Sequence, residues 1–137
     1  MRGIWYLTIL VFALLATGIC TAKVPDLVGN WTGSHEGYHK GQGTVEQLEE
    51  GVVSLVINEQ NDRVFMGNLT YRMANGAEGT DGFAGAIGSD NKTLYIAEFG
   101  TGYDLGTIIS EDEIDLIYIN DGKTGEAAIE KLHRIRE

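Results

Sequence analysis

From Val28 onward this chain is written in twos. Short runs in which apolar and polar residues alternate are separated by turn residues, and the helical period surfaces at most in Ala127 to Ile135. Alternation with period two puts every second side chain on one face of a strand. The runs are 28–38, 44–48, 52–57, 63–73, 79–88, 93–99, 103–110, 114–119 and 126–135. Asn75-Gly76, Ser89-Asp90-Asn91-Lys92, Glu111-Asp112-Glu113 and Asn120-Asp121-Gly122-Lys123 punctuate them, and residues of these types accept the tight backbone of hairpin turns. Eight or nine short strands with hairpin-length connections predict an all-β chain, a meander sandwich or, preferred here, an antiparallel up-and-down barrel.

The same period assigns faces. In 63–73, Phe65, Gly67, Leu69 and Tyr71 share one side, and Val64, Asn68, Thr70 and Arg72 share the other. The first set is the predicted interior. By the same parity Trp31, Gly33, His35 and His39 look inward, while Asn30, Thr32, Ser34 and Glu36 look out. Ile114 to Ile119 is apolar on both faces, which predicts cover on its outer side by the last segment or a neighbouring subunit. An aromatic-x-Gly pattern recurs at Trp31-Thr32-Gly33, Phe65-Met66-Gly67 and Phe83-Ala84-Gly85. Each Gly leaves room for a ring and lets a strand coil, as closing a small barrel requires.

Residues 4–19 are almost continuously apolar, behind Arg2 and ahead of Cys20-Thr21-Ala22. That is the layout of a secretory signal peptide. The run also approaches the roughly 20 residues that span a bilayer. Two readings therefore stand for residues 1–22: a signal cleaved after Ala22, or a retained N-terminal membrane anchor helix. Ile19 occupies the place where a lipid-attachment site needs a small residue. Either reading puts residues 23–137, a single domain with enough chain for a core, outside the cytoplasm. The protein is expected to be secreted or extracytoplasmic, with membrane contact only through residues 4–22 if they are retained. Cys20 is the sole cysteine, so the domain is held by packing and a closed hydrogen-bond network rather than by disulfides. A formal charge of −10 excludes the binders of nucleic acid and anionic lipid, which depend on Lys and Arg.

Gly29-Asn30-Trp31 in the first strand, with an Arg in the last, Arg134 or Arg136, resembles the shared signature of the calycins: lipocalins, fatty-acid-binding proteins and avidins. The resemblance implies an antiparallel barrel whose first-strand Trp packs at a closed end, with Arg134 lying across the Trp31 ring as a cation–π contact. It does not carry biotin binding. Avidins use several Trp and an Asn two places after the first, where this chain has Gly33 and no second Trp in the domain. The lipocalin disulfide is also missing, which fits an exported family sharing only the barrel.

His35-Glu36-Gly37-Tyr38-His39 matches the H-E-x-x-H pattern of zinc proteases. That motif needs a helix to bring both imidazoles to one face. Glycines surround it here, and on a strand the two His stand about 13 Å apart with Glu36 on the opposite face. No metal site, cofactor or catalytic residue is assigned, and the chain is read as a non-enzyme. Asn30-Trp31-Thr32, Asn68-Leu69-Thr70 and Asn91-Lys92-Thr93 are N-glycosylation sequons, with Asn30 and Asn68 on predicted outer faces and Asn91 in a turn. The acidic clusters near Glu49, Glu59 and Asp112 lack calcium-loop spacing and read as solvated turns.

His35, Tyr71, Tyr95, Tyr103 and Tyr118 are the candidate ligand-binding residues, since a ring of phenols with one imidazole suits a largely apolar pocket with a few polar contacts. Side-chain filling of the lumen is the structural alternative. The functional expectation is an exported barrel that binds a small apolar or amphipathic ligand. The alternative is a non-enzymatic cell-surface interaction module, tethered if residues 4–22 are retained, or self-associating as a homo-oligomer.

Overall fold

The computed structural model of the chain describes residues 23–40, 45–47, 51–73, 76–100, 102–123 and 125–136. The signal or anchor reading of residues 1–22 lies outside them, as do Cys20 and Asn75. Nine strands follow one another: β1 Gly29–Lys40, β2 Val45–Gln47, β3 Gly51–Asn61, β4 Val64–Met73, β5 Glu78–Ile87, β6 Thr93–Glu98, β7 Tyr103–Ser110, β8 Glu113–Asn120 and β9 Glu126–Ile135. No helix occurs among the described residues. Ala127 to Ile135, where a helical period was an option, lies within β9.

Every neighbouring pair is antiparallel, and β9 pairs back onto β1 from Asn30↔Ile135 to His39↔Glu126. The result is a closed eight-stranded meander, β1-β3-β4-β5-β6-β7-β8-β9, with no free edge along its main wall. The short β2 pairs with the far end of β1, at Tyr38 to Lys40, and so extends the line of β3. Residues 58–61 are polar and read as a hairpin tip, but they belong to β3. A register shift between Ile57 and Glu59 absorbs one residue, and the turn comes at Asp62, whose φ is 52°.

The core follows the predicted parity. Trp31, Val53, Leu55, Ile57, Phe65, Leu69, Phe83, Leu94, Ile96, Ile114, Leu116 and Leu132 all point inward and are buried. The recurring aromatic-x-Gly pattern is reciprocal across β4 and β5. Phe65 is opposite Gly85 and Phe83 is opposite Gly67. A Cβ on Gly85 would lie 2.3 Å from the Phe65 ring, and one on Gly67 would lie 2.8 Å from the Phe83 ring. The two rings meet edge to face, with centroids 6.3 Å apart. Each strand thus gives up a side chain so that the other's aromatic can fill the lumen.

One end of the barrel is plugged. Lys23 to Val28 run across it, and Leu27 is fully buried. Gln60 clamps this segment, accepting from Leu27 N at 2.8 Å and donating to Pro25 O at 2.8 Å. Trp31 Nε1 donates to Leu27 O at 3.0 Å. Arg134 Cζ stands 4.2 Å from the centre of the Trp31 ring. Its guanidinium donates to Val28 O, Asp26 O and Glu111 O at 2.7–3.0 Å. One side chain therefore ties the entering segment, the first strand and the β7–β8 turn together. We refer to the opposite end, where β1, β4, β6 and β8 finish, as the mouth.

Candidate functional site

The inner wall near the mouth is acidic. Glu130 on β9 is opposite His35 on β1, Asp104 on β7 is opposite Tyr118 on β8, and Glu126 on β9 lies one further row towards the rim, opposite His39. Glu98 closes β6 on the same side by parity with Leu94 and Ile96. His35, Asp104 and Glu130 are 5%, 1% and 3% exposed, so this is a buried polar cluster above an apolar core.

Two carboxylates bracket the imidazole. His35 Nδ1 is 2.8 Å from Glu130 Oε1, and Nε2 is 3.3 Å from Glu126 Oε1. Burial by itself would lower the pKa of His35. The contacts with Glu126 and Glu130 outweigh it and raise the pKa to about 9, so the ring is an imidazolium at neutral pH. Both of its N–H groups then face carboxylates. A doubly protonated ring has no lone pair to give a metal, and no group of three or more His, Cys, Asp or Glu among the described residues is arranged to hold one.

Asp104 is the exceptional member. Neither of its buried oxygens has a hydrogen-bond partner, and Glu130 Oε2 also has none. Burial, followed by the negative charges of Glu130 and Glu98, raises the Asp104 pKa to about 8; His35 pulls modestly the other way. Buried polar atoms are nearly always paired, and an unpaired one costs stability. By contrast, Asp81 on the same rim is satisfied, accepting from Gly82 N at 2.8 Å and Gly100 N at 2.9 Å.

The candidate residues divide. His35 and Tyr118 are buried on the inner face, and Tyr71 is inward and half-buried, its ring lying over Gly79 where a Cβ would stand 2.2 Å away. Tyr95 and Tyr103 stand on the outside, 54% and 44% exposed. The reason is parity: Leu94 and Ile96 take the interior positions of β6, and Asp104 and Gly106 those of β7. A lumen lined by all five is therefore corrected to three. Asp104, Glu98, Glu126 and Glu130, which sequence reasoning passed over, complete it. The available signal was alternation read against its own apolarity, since Asp104, Gly106 and Ile108 share one face of β7.

Residues 35–39 lie within β1, and Glu36 is exposed on the outer face, so the H-E-x-x-H match does not form a helical turn. His39 keeps inner parity but reaches the rim, 3.9 Å from Glu46. Of the sequon residues, Asn30 and Asn68 are exposed and flank Val56 on one outer row. Asn91 sits in the β5–β6 turn with φ 59°, and its Nδ2 is 3.4 Å from Lys23 O.

The outer wall carries a second feature. Val64, Ala86, Tyr95, Leu105, Ile117 and Ile129 are successive register partners across β4 to β9. The next row is Met66, Ala84, Ala97, Tyr103, Ile119, Ala127 and Tyr38. Between β4 and β9 neither contains a charge; beyond them Ile129 is opposite Glu36 on β1 and Met66 is opposite Glu59 on β3. The flanking row, Thr93, Thr107, Asp115, Lys131 and Ser34, is polar. Shallow concavities of about 320 Å³ beside Tyr95 and Tyr103, and about 460 Å³ beside Ile117 and Ile129, interrupt the belt. Two rows about 7 Å apart fall well short of the roughly 25 Å apolar band of a membrane barrel.

No protein-family model matches the chain, and no curated protein matches it in sequence.

Proposed function

We propose that the protein is a non-enzymatic, exported binding barrel of calycin type, taking a small amphipathic ligand at its mouth. The single observation carrying this reading is Asp104, fully buried with both oxygens unpartnered in a wall of further carboxylates. A chain selected for stability alone gains nothing from such a group. Buried groups that are unsatisfied and pKa-shifted are a recurrent mark of a site. The apolar packing around Phe65 and Phe83 fills the lumen below this cluster. The calycin kinship rests on the closed meander together with Arg134 over Trp31. A thermal-shift screen of the purified domain against amphipathic amines, alcohols and acids tests the reading. Saturable stabilisation that weakens in Asp104→Asn is expected; no shift with any compound overturns it.

The outer belt favours a second reading, self-association. Two copies of a chain of charge −10 repel, so a stable contact between them needs a neutral centre, and the two apolar rows supply one. Sedimentation equilibrium should reveal a dimer or higher species that Ile117→Lys dissociates. A strict monomer at high concentration removes this reading.

A further inference from the structure

The mouth also carries information about the kind of ligand, and this step rests on the binding reading above. Among the described residues, no Lys or Arg shares the inner face near the mouth. The cation already present, His35, is contacted by Glu130 and Glu126 on its two nitrogens. That leaves Asp104 with two buried, unpartnered oxygens and Glu130 with one. Once Asp104 is ionised these are three acceptor atoms, and the one unpartnered donor beside them, His35 Nε2, stands 3.3 Å from Glu126 Oε1. An uncharged ligand hydroxyl satisfies one of them, and an anionic ligand adds repulsion to a wall that is already negative. A metal ion lacks its imidazole, because His35 is committed to carboxylates. A protonated amine brings three N–H donors on one positive centre, which matches both the number of empty acceptors and the sign of the field.

We infer that the barrel mouth recognises the ammonium group of a small organic amine, with Asp104 as its counter-ion and Glu130 as a second acceptor. The apolar remainder of the amine rests against Tyr71 and Tyr118. Glu126, whose side chain is 18% exposed, links the buried acceptors to the rim.

Proton linkage follows from the neighbours of Asp104: Glu98 on β6, Tyr118 on β8, Glu130 on β9 and His35 on β1. In the free protein at pH 7, Asp104 holds its proton. An arriving ammonium favours the carboxylate, so that proton leaves to solvent as the amine binds. Affinity therefore rises from pH 6 to about 8.

Calorimetry with the purified protein tests the inference, using propylamine and phenethylamine, each against the alcohol and the carboxylate of the same length. The amines are expected to bind at least ten-fold more tightly than the alcohols, with acids weakest. Titrations at pH 7 in buffers of different ionisation enthalpy should show proton release approaching one per amine, vanishing near pH 9. Asp104→Asn should abolish both the release and the preference for amines. Should that variant not fold, proton release by the unaltered protein decides alone. If alcohols bind as tightly as amines, without proton release, the ammonium assignment is overturned while mouth binding stands. If no probe of any charge binds, both fall.

Discussion

Asp104 and His35 make stability depend on pH in the same direction, for opposite reasons. The fold raises His35 from 6.5 to about 9, so it favours the imidazolium. That stabilisation is complete below about pH 6.5 and is lost as pH rises through about 9. At roughly 1.4 kcal/mol per unit it is on the order of 3 kcal/mol. The fold raises Asp104 from 3.8 to about 8, so it disfavours the carboxylate. Its penalty is absent below pH 3.8, grows above that, and is complete beyond about pH 8. The melting temperature should therefore fall between pH 6.5 and 9. Asp104→Asn should raise it, most at the alkaline end, and calorimetric melts across that range check both. Little of this was legible in the sequence. His35 was placed inward by parity with Trp31, but Asp104 sits between Tyr103 and Leu105, and the more apolar residues of that run drew the eye to the wrong face. Glu130 is similarly disguised by Ile129 beside it.

Those two disguises have one cause at the level of strands. In β7 the outer face carries Tyr103, Leu105 and Thr107, while the inner one carries Asp104, Gly106 and Ile108, before a register shift brings Ser110 opposite Glu113. The usual rule, apolar inside, is reversed where the outer wall is itself sticky and the inner wall holds a polar cluster. Periodicity still fixes which residues share a face, so the strands were readable and only their orientation was not. β4 gives the contrary case: Phe65, Gly67, Leu69 and Tyr71 were readable as interior because nothing apolar of comparable size competes on the outer face except Val64 and Met66. Its fit with β5 is unforgiving. A Cβ on Gly67 would stand 2.0 Å from Val56 O, so backbone must move as well as the Phe83 ring. Gly67→Ala should cost at least about 2 kcal/mol, measured as a lower denaturation midpoint. The same change at Gly76, where φ is +86° and nothing lies within 4 Å, meets no neighbour and strains only the turn.

For the molecule as a whole, the decisive contact is the pairing of first strand with last. It leaves the wall without a free edge, and it sets Lys23 to Leu27 beside Arg134 to Arg136 at the plug, bound through Asp26 O and Val28 O. A circular permutant joining residue 136 to residue 23 by a short glycine linker, and opened between Asp121 and Gly122, cuts no strand. It should fold with a cooperative melt within a few degrees of the parent, since a short surface loop costs little closure entropy. Circular dichroism melts decide this. The same arrangement gives the barrel a polarity. Residues 23 and 136 both stand at the plugged end, while Asp104, Glu126 and Glu130 gather at the other, so the two ends of the lumen differ in charge as well as in shape.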